Sequence, residues 1–240
     1  MKPTVAAKIL DHHLNWRFEG ELPEGFRVLE PLDTRPETCK AMETFYHAFY
    51  ADYGPRIMLI GINPSRHGAG VTGIPFTDTK QLAKCTGFQM SGPSTHELSS
   101  VFIYDVIDAY GGPQAFYRDF YIHSPFPQAI VRKNKRGNWV NATYYETSRL
   151  YQSLYPSMIK NMHDQLDFGL SRAVAVVLGR KNFSYLAKMN QENQWFEELK
   201  VLDHPRFIQQ YQPKYRLGYI AEYLNTLASA QKKSLLSGKF

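Results

Sequence analysis

The sequence predicts an α/β fold: a three-layer α/β/α sandwich around a central, mainly parallel sheet of four strands. Three observations predict it. Short apolar runs that stop at glycine or proline alternate with longer stretches of helical periodicity, the pattern of strands joined by helical crossovers. The strongest runs are continuously apolar rather than alternating, as strands buried on both faces require. No internal repeat and no Gly/Ser or Pro tract divides the 240 residues, a length one α/β domain can fold around one core, so residues 1–240 read as a single domain.

Glu37 to Tyr53 carries apolar residues at helical spacing and is the first expected helix. Arg56 to Gly61 (RIMLIG), entered from Gly54-Pro55, is the first strand. Ser94-Thr95-His96-Glu97 has the capping-box pattern and opens a helix through Tyr110. Asp119 to Ser124 (DFYIHS), stopped by Pro125, is the second strand. Thr143 to Glu146 repeats the capping-box pattern and opens helical sequence toward Leu166, which Pro156 should break or kink. Ser171 to Leu178 (SRAVAVVL), ended by Gly179, is the third strand, and Leu199 to Leu202 the fourth. Further helices are expected at Phe183–Met189 and Leu217–Leu227. Gln231-Lys232-Lys233 and Lys239 then read as a frayed, solvated tail.

Composition narrows the function. With 43% hydrophobic and 14% aromatic residues the chain is built to fold rather than to stay disordered. No apolar run approaches the roughly 20 residues of a spanning helix, and the N-terminus lacks a signal-peptide core, so a soluble, cytoplasmic protein with no membrane partner is expected. Cys39 and Cys85 lie in no C-x-x-C pair, which excludes a disulfide framework and a cysteine-held cluster and leaves two reduced, buried thiols. The histidines show no H-E-x-x-H spacing. Neither metal nor cofactor is expected. The net charge of +6 favours a polyanionic partner.

In α/β sheets ligands sit beyond the carboxyl ends of the strands, so the chemistry is sought there. After the first strand, residues 61–76 (GINPSRHGAGVTGIPF) hold four glycines and two prolines, which permit close backbone approach and sharp turns. They form neither a dinucleotide fingerprint nor a phosphate loop. The loop offers the carboxamide of Asn63 and the ring of Phe76; on residue type alone the first could equally cap a turn and the second pack in the core. After the second strand stand His123 and Ser124, and after the fourth His204-Pro205-Arg206-Phe207. His204 is the better catalytic candidate, since a histidine held before proline can donate to charge developing on a substrate, while His123 reads as a packing residue. Arg132 to Trp139 gathers four cations and an indole around a turn. It suits either phosphates with a stacked base or a plain solvated hairpin tip.

Gly61-Ile62-Asn63-Pro64 followed by Thr72-Gly73-Ile74-Pro75-Phe76 resembles the first motif of the single-strand-selective monofunctional uracil-DNA glycosylases, in which G-M-N-P precedes T-G-V-P-F at this spacing. His204-Pro205-Arg206-Phe207 resembles their second motif, which opens a DNA-intercalating loop. Gly111 to Phe116 and Val177 to Arg180 match intervening segments in order, so the likeness runs from about residue 56 to 215 and is nearest the shorter bacterial branch.

The resemblance implies a monomeric, nucleoid-associated DNA glycosylase of base excision repair. Asn63 would position the attacking water, Phe76 stack on the flipped base and His204 stabilise the leaving base. Gly61, Ile62, Pro64 and Ser65 would line the base pocket, and Pro205, Arg206 and Phe207 would engage DNA. The sequence departs from the family at Ser124, where an asparagine is expected to read uracil. A lone hydroxyl can donate or accept and so discriminates less, which predicts that xanthine and hypoxanthine are excised beside uracil. Two other classes stay open: a damaged- or single-stranded-DNA binder that releases no base, and a hydrolase of free nucleosides, for which the charge and Arg206-Phe207 would be superfluous.

Overall fold

A computed structural model of the chain describes residues 2–29, 34–92 and 94–238. Along the chain these form α1 (Val5–Asn15), β1 (Phe26–Val28), α2 (Pro36–Tyr50), β2 (Arg56–Ile60), α3 (Ala69–Thr72), α4 (Thr79–Thr86), α5 (Leu98–Tyr110), α6 (Pro113–Asp119) and β3 (Phe120–His123). There follow β4 (Ile130–Lys133), β5 (Trp139–Ala142), α7 (Ser148–Leu166), β6 (Leu170–Leu178), α8 (Arg180–Asn193), β7 (Glu198–Leu202), α9 (Pro205–Tyr211) and α10 (Arg216–Ser237).

The four expected strands make the expected sheet. Their order is β3-β2-β6-β7 and every pairing is parallel. All five residues of β2 and eight of the nine in β6 are buried, because helices cover both faces. α7, α8 and α10 pack against β6, and α10 also touches α5. The chain leaves β2 for β3 on one side and later returns to β6 on the other. That reversal opens a crevice at the carboxyl end of β2.

Several boundaries differ from expectation for local reasons. α5 starts at Leu98 because Thr95 is already engaged with Thr79, whose Oγ1 accepts the Thr95 N–H at 2.7 Å, and because Asp78 takes the Glu97 N–H at 2.9 Å. Thr143 and Glu146 close a turn, and Thr147 caps α7 instead by accepting the Leu150 N–H at 3.1 Å. α7 runs unbroken through Pro156: this residue and Gln152, whose carbonyl loses its partner, both lie on the exposed face where water can replace it. The C-terminal lysines 232 and 233 belong to α10 rather than to a frayed tail, since Ala230 and Ser234 are buried and Ser234 donates to Ser171 Oγ at 2.7 Å. Lys239 lies outside the described residues. Both cysteines are free but only half-buried.

A second sheet, β1-β4-β5, was not expected. Its strands pair antiparallel and are three or four residues long, too short to impose a period on the sequence. The basic segment 132–139 is its hairpin tip. Asn134 closes it by accepting the Arg136 and Asn138 N–H groups at 2.9 and 3.0 Å. The indole of Trp139 sits beneath two cations, with the Arg27 guanidinium 4.7 Å and the Lys133 ammonium 5.5 Å from the ring centroid.

One buried side chain ties the sheet to this hairpin. Asn182, on the first turn of α8, donates to the carbonyls of Ile60 and Gly61 at 3.1 Å and of Leu178 at 3.3 Å, bridging the ends of β2 and β6. Its Oδ1 accepts from the buried Tyr144 hydroxyl at 2.7 Å, just beyond β5. Asn182→Ala would leave these groups buried and unpaired. A loss of about 3 kcal/mol in urea unfolding is expected, at 1–3 kcal/mol for a group left unsatisfied, and an unchanged midpoint would contradict the clamp.

Candidate active site

The crevice at the end of β2 is a cleft of about 480 Å³. It gathers residues from distant parts of the chain. Gly61, Ile62, Asn63, Pro64, Ser65 and Phe76 line it from the loop after β2, Ser124 from the end of β3, and His204, Arg206 and Phe207 from the start of α9. Pro205 does not line it. It is buried as the first residue of α9.

Asn63 is held by backbone on three sides. Its Nδ2 donates to the carbonyls of Ala142 at 3.1 Å and Pro64 at 3.3 Å, and its Oδ1 accepts the Tyr144 N–H at 3.0 Å. Both amide protons are thereby used, and one lone pair of Oδ1 remains. The carboxamide can only accept from a molecule in the cleft. The neighbouring loop is fastened to the hairpin, for the Arg66 N–H reaches Asn141 Oδ1 at 3.1 Å and its guanidinium the Trp139 carbonyl at 2.7 Å.

Phe76 is one of two described non-glycine residues with positive φ, at 52°. Its ring reaches across Gly61, where a Cβ would lie 3.0 Å from Cε2, and stands 5.8 Å from the His204 ring at a 45° tilt. Thr72 shapes the approach by accepting the Ile74 N–H at 3.2 Å and donating to the Thr77 carbonyl at 2.6 Å.

His204 is the N-cap of α9, and its Nδ1 accepts the Arg206 N–H at 3.2 Å. That bond requires a bare Nδ1, which places the proton of the neutral ring on Nε2. Desolvation, with a smaller push from the Arg206 charge, lowers its pKa to about 4. The neighbouring backbone is fixed too. Tyr223 donates to the Asp203 carbonyl at 2.5 Å, and Arg180 pairs with the Asp203 carboxylate at 2.7 Å. The segment expected to be an intercalating loop is thus the first turn of a helix, with Arg206 and Phe207 exposed at the mouth of the cleft.

Ser124 corrects an expectation. Its hydroxyl is not a free rotor: it donates to the Phe126 carbonyl at 2.7 Å and so presents only lone pairs. Asn161 and Gln165 of α7 donate to its carbonyl at 3.1 and 3.2 Å. Behind it His123 lies stacked on His13 at 3.8 Å, and burial takes the pKa of His123 down to about 3 and that of His13 well below 6.5. His123 lines the cleft, as do Glu97 and Ser99 near the start of α5, Asn141 to Thr143 beyond the hairpin, and Gln210 and Tyr211 of α9. The sequence offered His123 only as a packing residue and Glu97 and Thr143 only as capping-box members, since only the fold brings these residues beside Asn63.

The family model of the Uracil DNA glycosylase superfamily matches residues 47–228, which include every strand of the main sheet and every residue lining the cleft. The chain belongs to the uracil-DNA glycosylase superfamily. The glycosylase is also similar to the crystal structure of wild-type SMUG2 from Pedobacter heparinus, with 37% identity and a TM-score of 0.92 over 95% of this chain and 98% of that one. No curated protein matches it. It is a DNA-binding hydrolase of base excision repair, of the SMUG type. Among the described residues no three His, Cys, Asp or Glu side chains cluster as a metal site, and no helix is long and apolar enough to cross a membrane.

The histidines set an acid limit on stability. His13, His123 and His204 each have a folded pKa below the ordinary 6.5, so between these values the unfolded chain binds more protons than the folded one. Their contribution is complete above pH 6.5 and is lost as the pH falls toward 4 and then 3. Urea midpoints that decline steadily from pH 7 to pH 4.5 are expected, and a flat profile would contradict the neutral assignment.

Proposed function

We propose that the protein is a monofunctional glycosylase, acting as a monomer, that flips a deaminated base into the cleft and hydrolyses its N-glycosidic bond. The observation that carries this reading is the opposition, in one cleft, of an accept-only carboxamide at Asn63 and a neutral imidazole at His204 whose Nε2–H has no partner among the described residues. Cleavage proceeds through an oxocarbenium-like sugar and an anionic base. It therefore needs a held water on one side and a donor to the leaving base on the other. The free lone pair of Asn63 orients the water by accepting one of its O–H bonds. His204 donates from Nε2 to the base oxygen where charge gathers, and Phe76 supplies a stacking face worth about 1–3 kcal/mol.

The accept-only hydroxyl of Ser124 gives the base choice a chemical sense. Deamination turns the ring nitrogen of cytosine or adenine from acceptor to N–H donor, so uracil and hypoxanthine offer that oxygen a proton and their parents do not. Xanthine offers the same N–H. The loop amides from Ile62 to Ser65 face the carbonyl edge of the base in this reading. Arg206 and Phe207, exposed at the cleft mouth on a helix begun by Pro205, fill the gap left by the flipped nucleotide. No lysine lines the cleft among the described residues, which fits hydrolysis without a Schiff base or strand cleavage.

Release of uracil from a labelled single-stranded oligonucleotide tests the reading. Asn63→Ala and His204→Ala should each slow release on the order of 10²–10³-fold with folding intact. Wild-type binding with no release of any base would favour the damage-binding alternative instead. On matched oligonucleotides, wild type should also release xanthine and hypoxanthine; strict uracil-only activity would remove the role given to Ser124. Arg206→Ala should weaken excision from duplex more than from single strands, and equal losses would refute its placement in the gap.

A further inference from the structure

The proposed reaction leaves one proton without a destination. When water adds to C1′ its oxygen forms the new bond, the C1′–N bond breaks with its electron pair going to the base, and a water O–H bond must release a proton. Asn63 cannot take it, because a carboxamide is not a base near neutral pH. His204 is already neutral, and protonating its Nδ1 would break its bond to the Arg206 N–H.

We propose that Glu97 is a catalytic residue, its carboxylate accepting the proton of the attacking water. The inference rests on the glycosylase reading and adds the general base to it. Glu97 carries the one carboxylate that lines the cleft among the described residues. That carboxylate makes no hydrogen bond or ion pair with any of them, although the backbone is pinned by the bond from its N–H to Asp78. Glu97 stands at the N-cap of α5 and makes no side-chain bond to the first turn. The carboxylate lies against the loop after β2: a Cβ on Gly68 would stand 1.7 Å from Glu97 Oε2, so glycine there lets it rest in this position without turning aside. A half-buried, unpaired anion is a cost to the fold, and in a cleft that takes a polyanion it repels phosphates as well. Those costs argue against a role in holding the strand. They suit a group that faces the cationic sugar and takes a proton from water, later returned to the departed base anion.

Glu97→Gln keeps the shape and removes the basicity. Two measurements are compared with wild type: single-turnover release of uracil from a single-stranded oligonucleotide, and affinity for the same strand carrying a non-hydrolysable 2′-fluoro deoxyuridine. The expected result is a rate lower by on the order of 10²-fold, within the usual span for a general base, with affinity for the analogue equal or higher and thermal stability retained. Glu97→Asp should keep part of the rate. A Glu97→Gln protein that releases uracil at the wild-type rate while Asn63→Ala does not overturns this inference and leaves the glycosylase reading standing. Loss of rate matched by an equal loss of affinity or of melting temperature assigns Glu97 to structure and also overturns it. A wild type that releases no base overturns the two together.

Discussion

The carboxamide of Asn182 is the contact on which the site's geometry depends. It stands where β2 and β6 end and binds carbonyls of both strands, and through the Tyr144 hydroxyl it also reaches the segment after the hairpin. The backbone N–H of that same Tyr144 holds Asn63. One buried amide therefore sets the spacing of two strands and, one residue further, the aim of the carboxamide at the mouth of the crevice. A neutral amide suits this place because it offers donors and an acceptor at once without bringing a charge into the core.

Much of the fold was legible in the sequence because its strands are buried on both faces. A run such as Ala173 to Leu178 can be little else, and the glycine or proline that ends each run marks where the ligand side begins. The loop from Gly61 to Phe76 stood out by its four glycines and two prolines, and at Gly61 the Phe76 ring does crowd the backbone. The small sheet was not legible. Its strands are half-buried and short, and its hairpin is held by bonds to Arg66, more than seventy residues away in sequence, that no local pattern encodes. Glu97 was read as part of a capping box, a plausible local use that the tertiary pairing of Thr79 with Thr95 displaced.

The charge of the chain and the charge of its cleft are different matters. The surplus of cations lies on exposed surface, at the hairpin tip among other places, whereas the histidines His123 and His204 of the cleft are kept neutral by burial. In the proposed reaction a neutral imidazole suits a leaving anion that must also depart, since it stabilises charge by donating a proton only in part. The tautomer is set by an α-helix start, so the donor's direction is fixed by the same bond that opens α9.

The left-handed backbone of Phe76 has a further consequence. Such a conformation costs a side-chain-bearing residue about 1–3 kcal/mol, and glycine or asparagine would adopt it with less strain. Position 76 is therefore one where the sequence is not at its thermodynamic optimum. Directed evolution guided by thermal resistance alone would tend to erase the aromatic ring, and the variants it enriched would be sturdier proteins with an emptied cleft.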